Sequence, residues 1–264
     1  MIENKKEFKL ISKNNPKSLL PNALTIFGVC LGLSSIKFAI DLNYSMAVIA
    51  IGFAAILDTL DGRVARLIKG TSKVGKELDS LTDVISFGVA PSFVMYFWAI
   101  NELGKLGWMF ILIYTVCCAL RLARFNLTTI EENESWKINF FEGVPSPAAA
   151  GLVLLPLILN LSNIIKFENE EIVSSVVILI TAFLMVSKIP TYSLKRILIP
   201  RSLGIFLLLG IGIYLSLVIF YTYKTLFITG VVYIILIPIS YFHFKQKNKK
   251  FLSTALEEET EDIL

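Results

Sequence analysis

The chain has 264 residues, 55% hydrophobic and only 17% charged, with a mean hydropathy of +0.70 and a formal net charge of +4. Soluble domains carry roughly 25% charged residues, so the composition excludes an ordinary water-soluble enzyme and describes a polytopic membrane protein. Cys30, Cys117 and Cys118 lie in apolar runs without metal-ligand spacing, and the single histidine, His243, ends the last apolar run; this leaves no disulfide framework, no zinc site and no histidine base elsewhere.

Residues 1–19 form a basic segment, and residues 20–244 a transmembrane domain that opens with an apolar stretch over 21–40. That stretch is too long for a signal-peptide core and lacks a small-residue cleavage site, so it reads as the first membrane helix. It contains Gly28 and Gly32, a G-x-x-x-G that permits close helix approach and points weakly to a dimer. Stretches over 45–67 and 75–100 follow, then 107–127, which closes on Arg121, Arg124 and Asn126. The connection over 128–146 carries Glu131, Glu132, Glu134, Trp136, Phe140 and Phe141; it reads either as a segment lying on the membrane surface or as a plain loop. Shorter stretches over 147–165 and 171–188 precede two more over 202–221 and 226–244. Residues 245–264 form a charged tail, acidic from Glu257 to Asp262, that reads as a solvated end.

A membrane helix needs about 20 mostly apolar residues, so the expected architecture is an all-α bundle of about eight membrane helices, with both termini cytoplasmic. Basic residues support that alternation. All of the 25 lysines and arginines except Lys37, Lys105, Lys166 and Lys224 fall on the side that the N-terminus occupies, as the positive-inside rule requires.

The informative stretch runs from Asp58 to Asp83. Asp58 and Asp61 stand three apart near the cytoplasmic end of the second stretch, and Asp79 and Asp83 four apart near the start of the third. Both spacings put a pair on one helical face, and the short connection makes the helices antiparallel, so the pairs face each other. A carboxylate within the membrane costs about 2.5–3.5 kcal/mol, and four in one place need neutralising. Salt bridges to Arg63, Arg66, Lys69, Lys73 or Lys76 are one solution, but those cations are too few on the right faces. Divalent metal is the better partner, because hard cations take carboxylate oxygens and suit phosphate substrates. Gly62 and Ala65 leave a groove beside the acids, Arg66 is a cation suited to bidentate phosphate contact, and Gly75 opens the third helix. Together these residues describe a pyrophosphate site.

Asp58-Thr-Leu-Asp61-Gly62-Arg-Val-Ala65-Arg66, followed by Gly75, Asp79 and Asp83, carries all eight fixed positions of the CDP-alcohol phosphatidyltransferase signature, and the chain resembles that family. Leu20-Pro21-Asn22 with Thr25, Leu78-Asp79-Ser80-Leu81, Ser86 to Pro91, Arg121 to Asn126, and Gly143 to Pro147 with Gly151 resemble one branch, the bacterial-type phosphatidylserine synthases. Gly28 departs from it, since many relatives have asparagine there.

The resemblance implies transfer of a phosphatidyl group from CDP-diacylglycerol to L-serine, releasing CMP, at the cytoplasmic face of the cell membrane. It implies Mg²⁺ or Mn²⁺, two ions, held by Asp58, Asp61, Asp79 and Asp83. Asp83 would be the base for the serine hydroxyl, or a fourth ligand only. Gly62, Ala65, Arg66 and Gly75 would line the CDP site. Arg121, Arg124 and Asn126 are candidates for holding the serine carboxylate or a phosphate, with headgroup contact or topology alone as the plain alternative. Partners would be membrane lipids and a second copy of the chain, with no nucleic acid. Glycerol phosphate, inositol phosphate or choline are alternative acceptors, because the signature is common to all. An ion-coupled transporter is the alternative from another class, but it would carry repeats, broken helices and acids near the midplane.

Overall fold

The computed structural model of the protein describes residues 19–70, 72–127, 139–164, 168–193 and 203–261. The basic N-terminal segment, Trp136 with its neighbouring glutamates, and Lys195, Arg196 and Arg201 lie outside the described residues.

Ten α-helices follow in chain order: α1 Leu19–Ile40, α2 Tyr44–Leu67, α3 Lys73–Asp83, α4 Ala90–Trp98, α5 Lys105–Leu127, α6 Ser146–Val153, α7 Leu155–Leu161, α8 Glu170–Val186, α9 Gly204–Phe220 and α10 Thr222–Glu261. Every expected apolar stretch holds helix. Five segments are long and apolar enough to cross a membrane: Leu19–Ile40, Tyr44–Leu67, Val74–Trp98, Lys105–Leu127 and Thr222–Lys249; Gly204–Phe220 is shorter. None of the residues of α9 is buried, and Phe183, Phe206, Leu208 and Phe220 are all about three-quarters exposed. Apolar surface on that scale is stable against lipid and not against water. The protein is an all-α, multi-pass membrane protein.

Helix α1 turns Pro21, Thr25, Gly28, Gly32, Ser35 and Ala39 inward. Small residues on one face let helix backbones meet closely where lipid gives no hydrophobic drive. A Cβ on Gly32 would stand 2.7 Å from Ser86 Oγ and 3.0 Å from Ser86 Cα, and Ser86 Oγ donates to the Gly28 carbonyl at 3.3 Å. The G-x-x-x-G is therefore used inside the chain, which removes it as an argument for a dimer. Gly32→Val is expected to destabilise the folded protein by about 1–3 kcal/mol through overpacking, measurable by thermal unfolding in detergent; an unchanged melting temperature would contradict this packing.

Between α3 and α4 the chain runs as a π-helix, Val84–Val89. Pro91 explains it. Proline has no N–H, so the Phe87 carbonyl four residues earlier lacks its α-helical donor, and the Tyr114 hydroxyl donates to that carbonyl instead at 3.0 Å. The expected stretch 147–165 is likewise interrupted, at Leu154 between α6 and α7, where Pro156 enters the first turn of α7.

Two short strands depart from the all-helical expectation: β1 Phe140–Glu142 pairs antiparallel with β2 Pro190–Tyr192. They place Phe140 and Phe141 in a sheet, not flat on a surface. Tyr192 and His243 share a 2.9 Å hydrogen bond, and Phe140 packs against both rings, so the lone histidine anchors the sheet to α10. That helix continues to Glu261, through the acidic tail that reads in sequence as a solvated end.

Candidate active site

The connection between α2 and α3 builds the site. Lys69 has a left-handed backbone, φ 52°, and Ser72 caps α3 by accepting from Gly75 N at 2.9 Å. This brings α3 back beside the end of α2. Asp58, Asp61 and Asp79 each offer one carboxylate oxygen within 4.8 Å of the others. Asp83 is not among those three; its carboxyl lies one turn further along, against that of Asp58, with Asp79 also near.

Among the described residues none of the four carboxylates makes an ion pair; the pairs found are Lys37–Asp41 and Arg124–Glu142. The salt-bridge explanation thus has no support in the geometry. Asp61 is instead held by Thr25, whose hydroxyl donates to Asp61 Oδ2 at 2.5 Å. Asp83 Oδ1 is buried without a hydrogen-bond partner. Three convergent oxygen donors, uncompensated by cations in an apolar setting, fit a hard divalent ion.

Beside the acids lies a cavity of about 500 Å³, bordered by Asp61, Gly62, Ala65, Arg66, Gly75 and Asp79, and closed on the α1 side by Asn22 and Thr25. All four expected CDP contacts, Gly62, Ala65, Arg66 and Gly75, therefore meet at one opening. A Cβ on Gly75 would stand 3.0 Å from both Asn22 Oδ1 and Ser72 Oγ, so glycine is what lets Asn22 reach the rim. Lys76 and Ser72 complete the lining. Sequence reasoning assigned no role to Asn22, Thr25, Ser72 or Lys76. The available signal was Thr25 itself, a polar residue in line with the small inward face of α1.

The three residues at the end of α5 separate. Arg121 is buried, 6% exposed, and donates to Ser146 Oγ at 2.9 Å. Arg124 donates to the Val186 and Ser187 carbonyls at 2.8 and 3.1 Å, closing the C-terminal end of α8, where a cation suits the helix dipole. Asn126 donates to Ser80 Oγ at 2.9 Å and ties α5 to α3. The last two brace the helices around the site, and Arg121 alone points to the Asp83 side. Lys188 is exposed.

A family model described as CDP-alcohol phosphatidyltransferase matches residues 18–243. The chain belongs to that family. Curated relatives named CDP-diacylglycerol–serine O-phosphatidyltransferase include one from Mycobacterium leprae, 33% identical over 90% of this chain and 78% of its own length. One from Helicobacter pylori is 41% identical over 77% of this chain and 83% of its own length, and one from Bacillus subtilis 35% identical over 67% and 92%. The CDP-alcohol phosphatidyltransferase signature is thus not a chance string: its fixed positions meet at the acidic triad and the cavity.

Within that site, Thr25→Val keeps the shape of the side chain but removes the donor that holds Asp61. Losing such a contact behind a metal-ligating group typically costs about 10–100-fold. The expected result is that much loss in CMP release and a higher Mg²⁺ requirement, with the melting temperature nearly unchanged. An unaltered Mg²⁺ requirement would contradict it.

Proposed function

We propose that the chain transfers the phosphatidyl group of CDP-diacylglycerol to the hydroxyl of L-serine, forming phosphatidylserine and CMP, with Mg²⁺ or Mn²⁺. The observation that carries this is one opening bordered by the acidic triad, Arg66 and the small residues Gly62, Ala65 and Gly75. Serine as the acceptor is supported by the names of the relatives.

Asp58, Asp61 and Asp79 would hold the metal, with Asp83 beside them and a second ion in the same array. Bound there, divalent metal supplies polarisation of the phosphates and neutralises the charge on departing CMP. Arg66 and Lys76 bind phosphate oxygens at the cavity wall. Gly62, Ala65 and Gly75 present no side chain that would crowd the nucleotide. Asp83 accepts the proton of the serine hydroxyl as its oxygen attacks the phosphorus bearing the diacylglycerol. The bond from that phosphorus to the CMP oxygen breaks, and CMP leaves with the electron pair.

The cytoplasmic face of the cell membrane, eight crossings, and a catalytic domain over 20–244 belong to the same reading, supported by the distribution of basic residues. A homodimer enters it through the family resemblance alone.

An acceptor panel tests the reading: purified protein, CDP-diacylglycerol and Mg²⁺ or Mn²⁺, with serine, glycerol 3-phosphate, inositol phosphate and choline offered separately. CMP release with serine alone is expected. Release with another acceptor would keep the chemistry and overturn the acceptor. No release with any of them, from folded protein, would favour the transporter.

A further inference from the structure

A second polar line runs through the interior on the far side of Asp83. Arg121 is 6% exposed, and its Nη1 is taken by Ser146 Oγ. Its Nε is buried with no hydrogen bond. The guanidinium has Asp83 as a charged neighbour in one direction and Tyr233 of α10 in another. The Tyr233 hydroxyl is buried and unbonded too, as is Asp83 Oδ1. Tyr233 also borders a small cavity with Thr191, Tyr192, Leu236 and Ile237. Buried polar atoms are nearly always hydrogen-bonded, and an exception calls for an explanation. Here three exceptions, from three different elements, surround one point next to the reacting end of the acidic array.

We propose that Asp83, Arg121 and Tyr233 form the acceptor subsite, with Arg121 reading the carboxylate of a small hydroxy-amino acid and Tyr233 a second polar group of it. The inference rests on the serine reading above and supplies its physical basis. One available buried guanidinium matches one negative charge. The neighbouring cation, Arg124, is engaged with the Val186 and Ser187 carbonyls and Glu142, so a dianionic phosphate acceptor would be under-neutralised. The same charge-assisted contact rejects acceptors without a carboxylate, because they leave Arg121 unpaired.

The test compares Tyr233→Phe and Arg121→Gln with the parent protein, using serine and serinamide as acceptors, the latter lacking the carboxylate charge. Protection by CMP and Mg²⁺ against thermal unfolding reports the nucleotide site separately. Tyr233→Phe should raise the KM for serine about 10-fold while CMP protection stays at the parent's level. Arg121→Gln should lower kcat/KM for serine about 100-fold and abolish the preference for serine over serinamide. A serine KM unchanged in Tyr233→Phe, or a serine preference intact in Arg121→Gln, would overturn the subsite. Should Arg121→Gln lose CMP protection, Tyr233→Phe decides alone, since it removes only an unbonded hydroxyl. A parent protein that releases CMP with a different acceptor defeats the serine reading itself, and that outcome is visible before any variant is made.

Discussion

Asp83→Asn should lower kcat about 10²–10⁴-fold, the usual contribution of a positioned general base, while the protein still folds and still binds CMP. Asparagine keeps the size and hydrogen-bonding reach of the side chain but cannot take a proton. No other side chain is placed to substitute: the single histidine is engaged with Tyr192 at the sheet, and Asp58, Asp61 and Asp79 converge on one another. CMP release under saturating CDP-diacylglycerol and serine measures the loss, and thermal protection by CMP checks the fold. A variant within about tenfold of the parent would remove Asp83 from proton transfer and leave it a spectator of the array.

Asp79→Asn should reduce turnover by at least about 10³-fold. Metal stabilisation of developing charge is worth several kcal/mol, and each 1.36 kcal/mol is a factor of ten. The same substitution carries an opposite expectation for stability. Without metal, three carboxylates within 4.8 Å repel one another, so the metal-free variant should unfold at or above the temperature of the metal-free parent. Sites of this kind trade stability for activity. Adding Mg²⁺ should raise the melting temperature of the parent and raise that of Asp79→Asn much less. Equal stabilisation of both proteins by Mg²⁺ would show that Asp79 is no ligand.

The sequence made the acidic array readable because helix geometry is local: spacings of three and four residues fix a face whatever surrounds it. The membrane helices were readable from hydropathy for a similar reason, since lipid leaves the backbone no partner but itself. Gly62, Ala65, Arg66 and Gly75 could be placed at the site because they are held near the acids by the same two helices. What escaped depends on distant chain segments. Thr25 reaches Asp61 across 36 positions, and Arg124 finds its carbonyl partners 62 and 63 residues on; no periodicity encodes either. Arg124 and Asn126 looked equivalent to Arg121 at the end of α5, and only the packing of α3, α6 and α8 separates the braces from the residue facing Asp83. The π-helix and the break at Leu154 had a local cue, Pro91 and Pro156, but a proline marks where a ladder fails and not how the chain repairs it. The β1–β2 pair has three residues a side, too few for an alternating pattern to stand out.

The most direct test of metal-dependent transfer to serine is one reaction. Purified protein receives CDP-diacylglycerol, L-serine and Mg²⁺ or Mn²⁺, with phosphatidylserine and CMP quantified together, before and after EDTA. The account predicts the two products in equal amounts, both abolished by EDTA and both restored by excess metal. Full-rate product formation in EDTA, or CMP released without phosphatidylserine, would contradict it.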